Sequence, residues 1–310
     1  MRNYLSLVLC FISSIGISQN LLKTEPVFKD FQELLKTRDF TVYENEAYFT
    51  LQSMNENISV IVRARRNNNE WNDRVIVDFS GKYKDLEPML SPNGLKLFFV
   101  SNRPVSDSAT KNKDFDIWYV ERNKIDDEWS APINLGKPIN TKADEFYPSV
   151  TNSGNLYFTR PNPDNKSEDD IFYSQFINNS YADPTVLDDA INTKGYEFNS
   201  YIAPDESYLI FSGYNREDGL GSGDMYISTR SKDGKWSKAK NLGKGINSDQ
   251  MDYSPFVDTT TGILYFTSRR SALEKEKDQD YSELINIINS YENGLSRIYR
   301  VDFSEFIEEE

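Results

Sequence analysis

A single pattern recurs along this chain and limits what it can fold into. The stretch from Asp144 to Arg160, DEFYPSVTNSGNLYFTR, reads as a strand, a tight turn and a second strand. DLEPMLSPNGLKLFFVSNR from Asp85, EFNSYIAPDESYLIFS from Glu197 and DYSPFVDTTTGILYFTSR from Asp252 repeat it, and DFTVYENEAYFT from Asp39 is a weaker copy. The copies start roughly 50–60 residues apart, so self-similarity comes before any single motif. Each is followed by a polar loop and another alternating stretch: Asp116-Ile-Trp-Tyr-Val, Asp170-Ile-Phe-Tyr-Ser, Asp224-Met-Tyr-Ile-Ser and Ser296-Arg-Ile-Tyr-Arg. Then come Trp129-Ser-Ala-Pro-Ile-Asn-Leu-Gly136 and Trp236-Ser-Lys-Ala-Lys-Asn-Leu-Gly243, with Tyr181-Ala-Asp-Pro-Thr-Val-Leu187 a blurred version. Ile-Asn pairs close three of the units, at Ile139-Asn140, Ile191-Asn192 and Ile246-Asn247.

Four short strands plus turns need about this much chain, and a repeated four-stranded unit is the mark of a β-propeller blade. Units over 39–80, 85–140, 145–192, 197–247 and 252–303 predict an all-β, five-bladed propeller, with six blades left open by residues 20–80. Ser91-Pro-Asn-Gly94 and Thr151-Asn-Ser-Gly154 supply the tight turns. The fifth unit shows only three strands, so Glu25-Pro-Val-Phe-Lys-Asp-Phe31 is expected to close the ring as its outer strand. An insertion over 272–291 reads as a helix with Leu284, Ile287, Ile288 and Tyr291 on one face, packed on the rim of its blade.

The organisation read from the chain is a signal peptide over 1–18, an N-terminal segment over 19–38 and a single propeller over 39–310. Arg2 precedes an apolar run that ends in small residues, the pattern of export to the periplasm or beyond the cell. Leu9 before Cys10 departs from a lipobox, which argues against a lipoprotein, and no later segment is apolar enough to cross a membrane. The net charge of −14 opposes nucleic-acid binding. The absence of histidine removes Ser-His-Asp chemistry and His-ligated metals.

LEPMLSPNGLKLFFVSNR…DIWYV and EFYPSVTNSGNLYFTR…DIFYS resemble the WD-repeat-like β-propeller repeats of TolB type over about residues 39–303, the first unit lacking the Pro turn. The resemblance implies an interaction module of periplasmic or secreted bacterial proteins. Its expected partner is a protein of the cell envelope or a glycan, and the chain is read as a monomer without cofactor.

Candidate site residues follow from the repeat. The opening acids Asp85, Glu145, Glu197 and Asp252 should cluster near one mouth of the central channel, with the strand-ending Arg103, Arg160 and Arg269 paired to them between neighbouring blades. A residue type that recurs in every blade points to architecture, whereas a catalytic site needs different residues in different places. A bound Ca²⁺ is the other way to offset several carboxylates, and the loop Asn215–Asp224 is acidic and glycine-rich enough to raise it. Asp116, Asp170 and Asp224 read more simply as bonding backbone amides at strand starts, and Trp129 and Trp236 as packing between blades. The expected function is a non-catalytic binding or scaffolding propeller. Its alternative is a carboxylate-dependent glycoside hydrolase or a carbohydrate-binding propeller, distinguished by convergent acids free of arginine partners.

Overall fold

The computed structural model describes residues 22–28, 36–68, 70–105, 114–166, 168–273, 278–304 and 306. The segment expected to be a signal peptide, with Cys10, lies outside the described residues, as does the acidic tail Glu308–Glu310. The chain forms a five-bladed propeller of four-stranded antiparallel blades. Blade 1 comprises Thr37–Tyr43, Glu46–Gln52, Ser59–Asn67 and Glu70–Ile76, so its inner strand starts two residues before the repeat suggested. Blade 2 comprises Asp85–Leu90, Lys96–Ser101, Asp116–Glu121 and Ile133–Asn134. Blade 3 runs Phe146–Val150, Leu156–Asn162, Glu168–Ser174 and Thr185–Val186. Blade 4 runs Tyr196–Ile202, Tyr208–Tyr214, Gly223–Thr229 and Lys240–Asn241.

Blade 5 is built from both ends of the chain. Asp252–Asp258, Ile263–Ser268 and Arg297–Asp302 are joined by Glu25–Pro26, with Glu25 opposite Arg300 and Pro26 opposite Tyr299. The Val27 amide continues the ladder to the Ile298 carbonyl at 3.0 Å. Phe28 follows and is buried against Phe49 at 4.8 Å between ring centres, so the closing strand is anchored by a core aromatic of blade 1.

The aromatic-rich second strands fill the space between blades. Tyr48, Phe99, Tyr157, Phe211 and Tyr265 are all nearly inaccessible to solvent. Burying faces of this size is the main apolar contribution to such a stack. Trp129 donates from Nε1 to the Tyr48 hydroxyl at 2.9 Å, and Trp236 meets Tyr157 edge to face at 6.4 Å. The recurring asparagines have a definite task. Asn140, Asn192 and Asn247 each accept from the amide of a third-strand residue of their own blade and donate to its carbonyl, at Ile117, Ile171 and Met225, with distances of 2.8–3.0 Å. An amide side chain matches a peptide group in this, so the linker between blades is held like one more rung of sheet. Gly94 adopts φ 68° in its turn, where an added Cβ would meet the Tyr43 ring at 2.6 Å.

The insertion in blade 5 differs from expectation. Its helix α1 spans only Tyr281–Ile288, capped by Asp280 and Glu283. Leu284 and Ile288 are exposed, Ile287 is half-buried, and Tyr291 beyond the helix makes the anchor through its hydroxyl to the Ile298 carbonyl at 2.8 Å. Eight residues make barely two turns, too few to lay a continuous stripe on the rim.

Candidate active site

Three of the four repeated acids are buried clasps. Asp85 accepts from Arg103 Nη2 at 2.6 Å, Ser101 Oγ at 2.6 Å and Ser80 Oγ at 2.8 Å. Glu197 is held by Arg216 at 2.8 and 3.0 Å, and Asp252 by Arg270 at 3.2 Å. In each case the same guanidinium also donates to a carbonyl of the preceding linker, at Phe79, Ile191 and Ile246. The pairing is therefore within a blade, with the tie to its neighbour made through the backbone, rather than acid to arginine across blades. All four acids are fully buried, so they line no open mouth.

Two of the expected arginines are displaced. Arg270, not Arg269, reaches Asp252; Arg269 is exposed and donates to Ser296 Oγ at 3.3 Å. Arg160 lies 4.3 Å over the Phe172 ring instead of bonding Glu145. Arg216 does the work in blade 4 and carries no repeat signal in the Ser-x-Arg position. Glu145 is left with the Thr141 hydroxyl at 2.6 Å and amide at 3.1 Å, and burial pushes its carboxyl up to about 7. Of the loop acids, Asp224 accepts from the Leu220 and Gly221 amides, while Asp116 and Asp170 take asparagine side chains. Among the described residues no group of three or more acidic side chains is arranged to hold a metal ion.

The groups that do converge sit two residues further on. Every innermost strand carries a bulge, between Arg38 and Thr41, Leu86 and Met89, Phe146 and Ser149, Phe198 and Tyr201, and Tyr253 and Phe256. The first bulged residue is left-handed in all five: Asp39 at φ 60°, Glu87 at 55°, Tyr147 at 45°, Asn199 at 50° and Ser254 at 54°. Glycine would take this backbone freely, yet none is glycine. Proline follows three of them, at Pro88, Pro148 and Pro255, where the bulge leaves the missing N–H without consequence. The bulge geometry recurs, but the five side chains differ.

These side chains form one network at the axis. Arg38 reaches Asp39 at 2.8 Å and Glu87 Oε1 at 2.6 Å. Asp39 also accepts from Thr50 Oγ1 at 2.9 Å and Ser254 Oγ at 2.7 Å. Glu87 accepts from the Tyr147 amide at 2.7 Å and Asn199 Nδ2 at 3.4 Å. One departure from the repeat explains that amide. The bulge amides of Asp39, Glu87 and Asn199 turn to a threonine hydroxyl of the preceding blade, at Thr267, Thr50 and Thr159. Blade 2 has Val100 at this position, so the Tyr147 amide takes the Glu87 carboxylate instead.

Asp39 and Glu87 are almost wholly buried, and the Arg38 side chain, 18% exposed, is the member of the network that meets solvent. Burial pushes the Glu87 carboxyl up to about 7 against the pull of Arg38, and Asp39 adds to the rise. Burial also opposes the Arg38 charge, but Asp39, Tyr253 and Glu87 together hold its pKa above the ordinary value. Two buried tyrosines tie neighbouring inner strands to blade 5: Tyr147 donates to the Pro255 carbonyl at 2.8 Å and Tyr201 to the Val257 carbonyl at 2.9 Å. One carboxyl raised toward neutrality therefore lies beside a second acid that is held by three donors. In sequence the residue before the bulge proline was the available signal, and the acid two residues earlier masked it.

No protein-family model matches the chain, and no curated protein does. Solved structures do. The α-L-arabinofuranosidase PaAbf62A from Podospora anserina, in complex with cellotriose, superposes with a TM-score of 0.54 at 10% identity over 91% of this chain and 96% of that one. An α-L-arabinofuranosidase from Lactobacillus brevis gives 0.52 at 12% identity, over 88% and 96%. A glycoside hydrolase gives 0.55 at 8% identity, over 86% of each chain. At such identities the likeness is one of fold. It tells against the expectation of a non-catalytic scaffold all the same: the three propellers just named carry glycoside hydrolase names, and this chain holds two converging acids where the repeat alone showed only clasps.

Proposed function

We propose that this chain is a carbohydrate-active propeller, acting on glycosides through Asp39 and Glu87. The observation that carries the reading is the axis itself. Five bulges bring five different side chains together in a backbone conformation costing about 1–3 kcal/mol each, and two of them are acids sharing one guanidinium. In this reading Glu87, protonated near neutrality, gives its proton to the leaving oxygen of a glycosidic bond. Asp39, bonded by Thr50 and Ser254, serves the anomeric carbon or its water. Arg38 faces solvent, so the substrate meets it first and displaces it from the acids. Neither histidine nor metal is needed for this chemistry. The N-terminal sequence fits an exported protein, which meets glycans outside the cytoplasm.

The test is sugar release from a panel of aryl glycosides, the α-L-arabinofuranoside first. The expected outcome is turnover by the native chain and a loss of about 10²–10⁴-fold in kcat for both Glu87→Gln and Asp39→Asn. A native chain inert on every glycoside, or a Glu87→Gln chain with undiminished rate, would sink the reading.

A further inference from the structure

Blades 2 and 4 each fill the seam to the blade before them with a tryptophan, Trp129 on Tyr48 and Trp236 on Tyr157. Blade 3 has no tryptophan in that place. The chain there runs through Tyr181 in a small extra hairpin, Phe176–Ile177 paired with Ser180–Tyr181. At this seam, between blades 2 and 3, a cleft of ≈ 1060 Å³ opens. Its size is at the upper end of the range for ligand pockets, about 300–1,000 Å³.

The walls are aromatic. Phe98 and Tyr119 of blade 2 lie 5.8 Å apart, and Phe176 and Tyr181 of the hairpin 5.0 Å apart. The rim is polar. The side-chain amides of Asn152 and Asn179 and the Tyr119 hydroxyl bond to none of the described residues. The Lys96 ammonium sits 4.7 Å over the Tyr119 ring and is neutralised by Glu121 at 3.2 Å. Lys137 adds one further donor at the edge.

We infer that this cleft is a second binding site, separate from the axial acids, and that it takes a neutral oligosaccharide. A pyranose has an apolar face of C–H groups that lies flat on an aromatic ring. Its hydroxyls both donate and accept, as a free amide does with its two ends. A purely apolar ligand would leave the rim amides without partners, and a polyanion would be opposed by the net charge of −14. The inference does not depend on the axial pair being catalytic.

The test is calorimetric titration of the native chain with cello-, xylo-, arabino- and manno-oligosaccharides. Tyr119→Ala, Asn179→Gly and Glu87→Gln are titrated alongside, with melting curves as the folding control. Glycine is chosen at 179 because that residue is left-handed, at φ 61°, and glycine keeps the turn. The two cleft variants are expected to weaken one binding event about tenfold or more, and Glu87→Gln keeps that event whatever it does to sugar held at the axis. Binding lost only in Glu87→Gln would place the sugar at the axis and overturn the inference while leaving the axial reading standing. No binding by any oligosaccharide, or equal affinity in native and cleft variants, would overturn it directly.

Discussion

Arg38 is the residue on which the axis depends. Among the described residues it is the one cation paired with Asp39 and Glu87, and its removal leaves them beside each other without a counter-charge. Arg38→Met is expected to cost about 3–5 kcal/mol in urea unfolding at pH 8, above the raised Glu87 value, and clearly less at pH 5. The clasps give a contrast between positions that look alike in sequence. Asp85→Asn leaves Arg103 buried without its anion and should cost about 3–5 kcal/mol. Glu145→Gln removes a buried acid that no arginine reaches, and the amide oxygen keeps the Thr141 hydroxyl as donor. It should be neutral at pH 5 and neutral or stabilising at pH 8, measured by the same unfolding curves. The four repeat acids were legible in the sequence as a recurrence, and three of them are held by an arginine within their blade. Which of them lacks a partner was not legible. Arg160 stands two residues short of the clasp position, pairing with Asp170 as Ser101 pairs with Asp116, so that Asn162 takes the place of Arg103; the offset shows only once the register of the strands is fixed.

Among the elements, the blades were readable because each holds its strands, turns and closing Ile-Asn pair in one stretch of chain. The closing strand was readable from the count of strands alone. Deleting residues 20–35 removes Glu25–Pro26, the Val27 amide and the buried Phe28 together. The melting temperature is expected to fall by roughly 10 °C or more, since loss of a core aromatic alone costs about 3–5 kcal/mol. The helix behaves oppositely: Leu284 and Ile288 are exposed, so Leu284→Ser with Ile288→Ser should change stability by less than about 0.5 kcal/mol per site. The bulges were the element the sequence hid. A one-residue insertion in a strand shifts which side chain faces the axis, and alternation read without it assigns the inward position to Asp85 and its equivalents. The prolines at 88, 148 and 255 were visible as part of the repeat, but what they mark is the residue before them.

For the whole molecule, buried acids set the pH response. Burial raises Glu87 and Glu145 to about 7 and Asp169 to about 6, the last helped by Asp144 and Asp170. A carboxyl whose folded pKa lies above its unfolded value stabilises fully below the unfolded value and loses that contribution as pH rises through the folded one. The melting temperature should therefore be highest near pH 5 and fall by several degrees toward pH 8, as a pH series of melting curves would record. The net charge of −14 acts in the same direction, since mild acid relieves self-repulsion. Asp302 and Glu56 are lowered instead, but both are solvent-facing and contribute little. The ring closure has a consequence in time as well. Glu25 and Arg300 meet across 275 residues of chain, so the circle is completed only after the last strand has been synthesised. Blades 2 to 4 assemble from neighbouring segments, whereas blade 5 waits on the two most distant ends. The final step of folding is thus a zipping of the termini, and the same seam is where the ring would first come apart under pulling force.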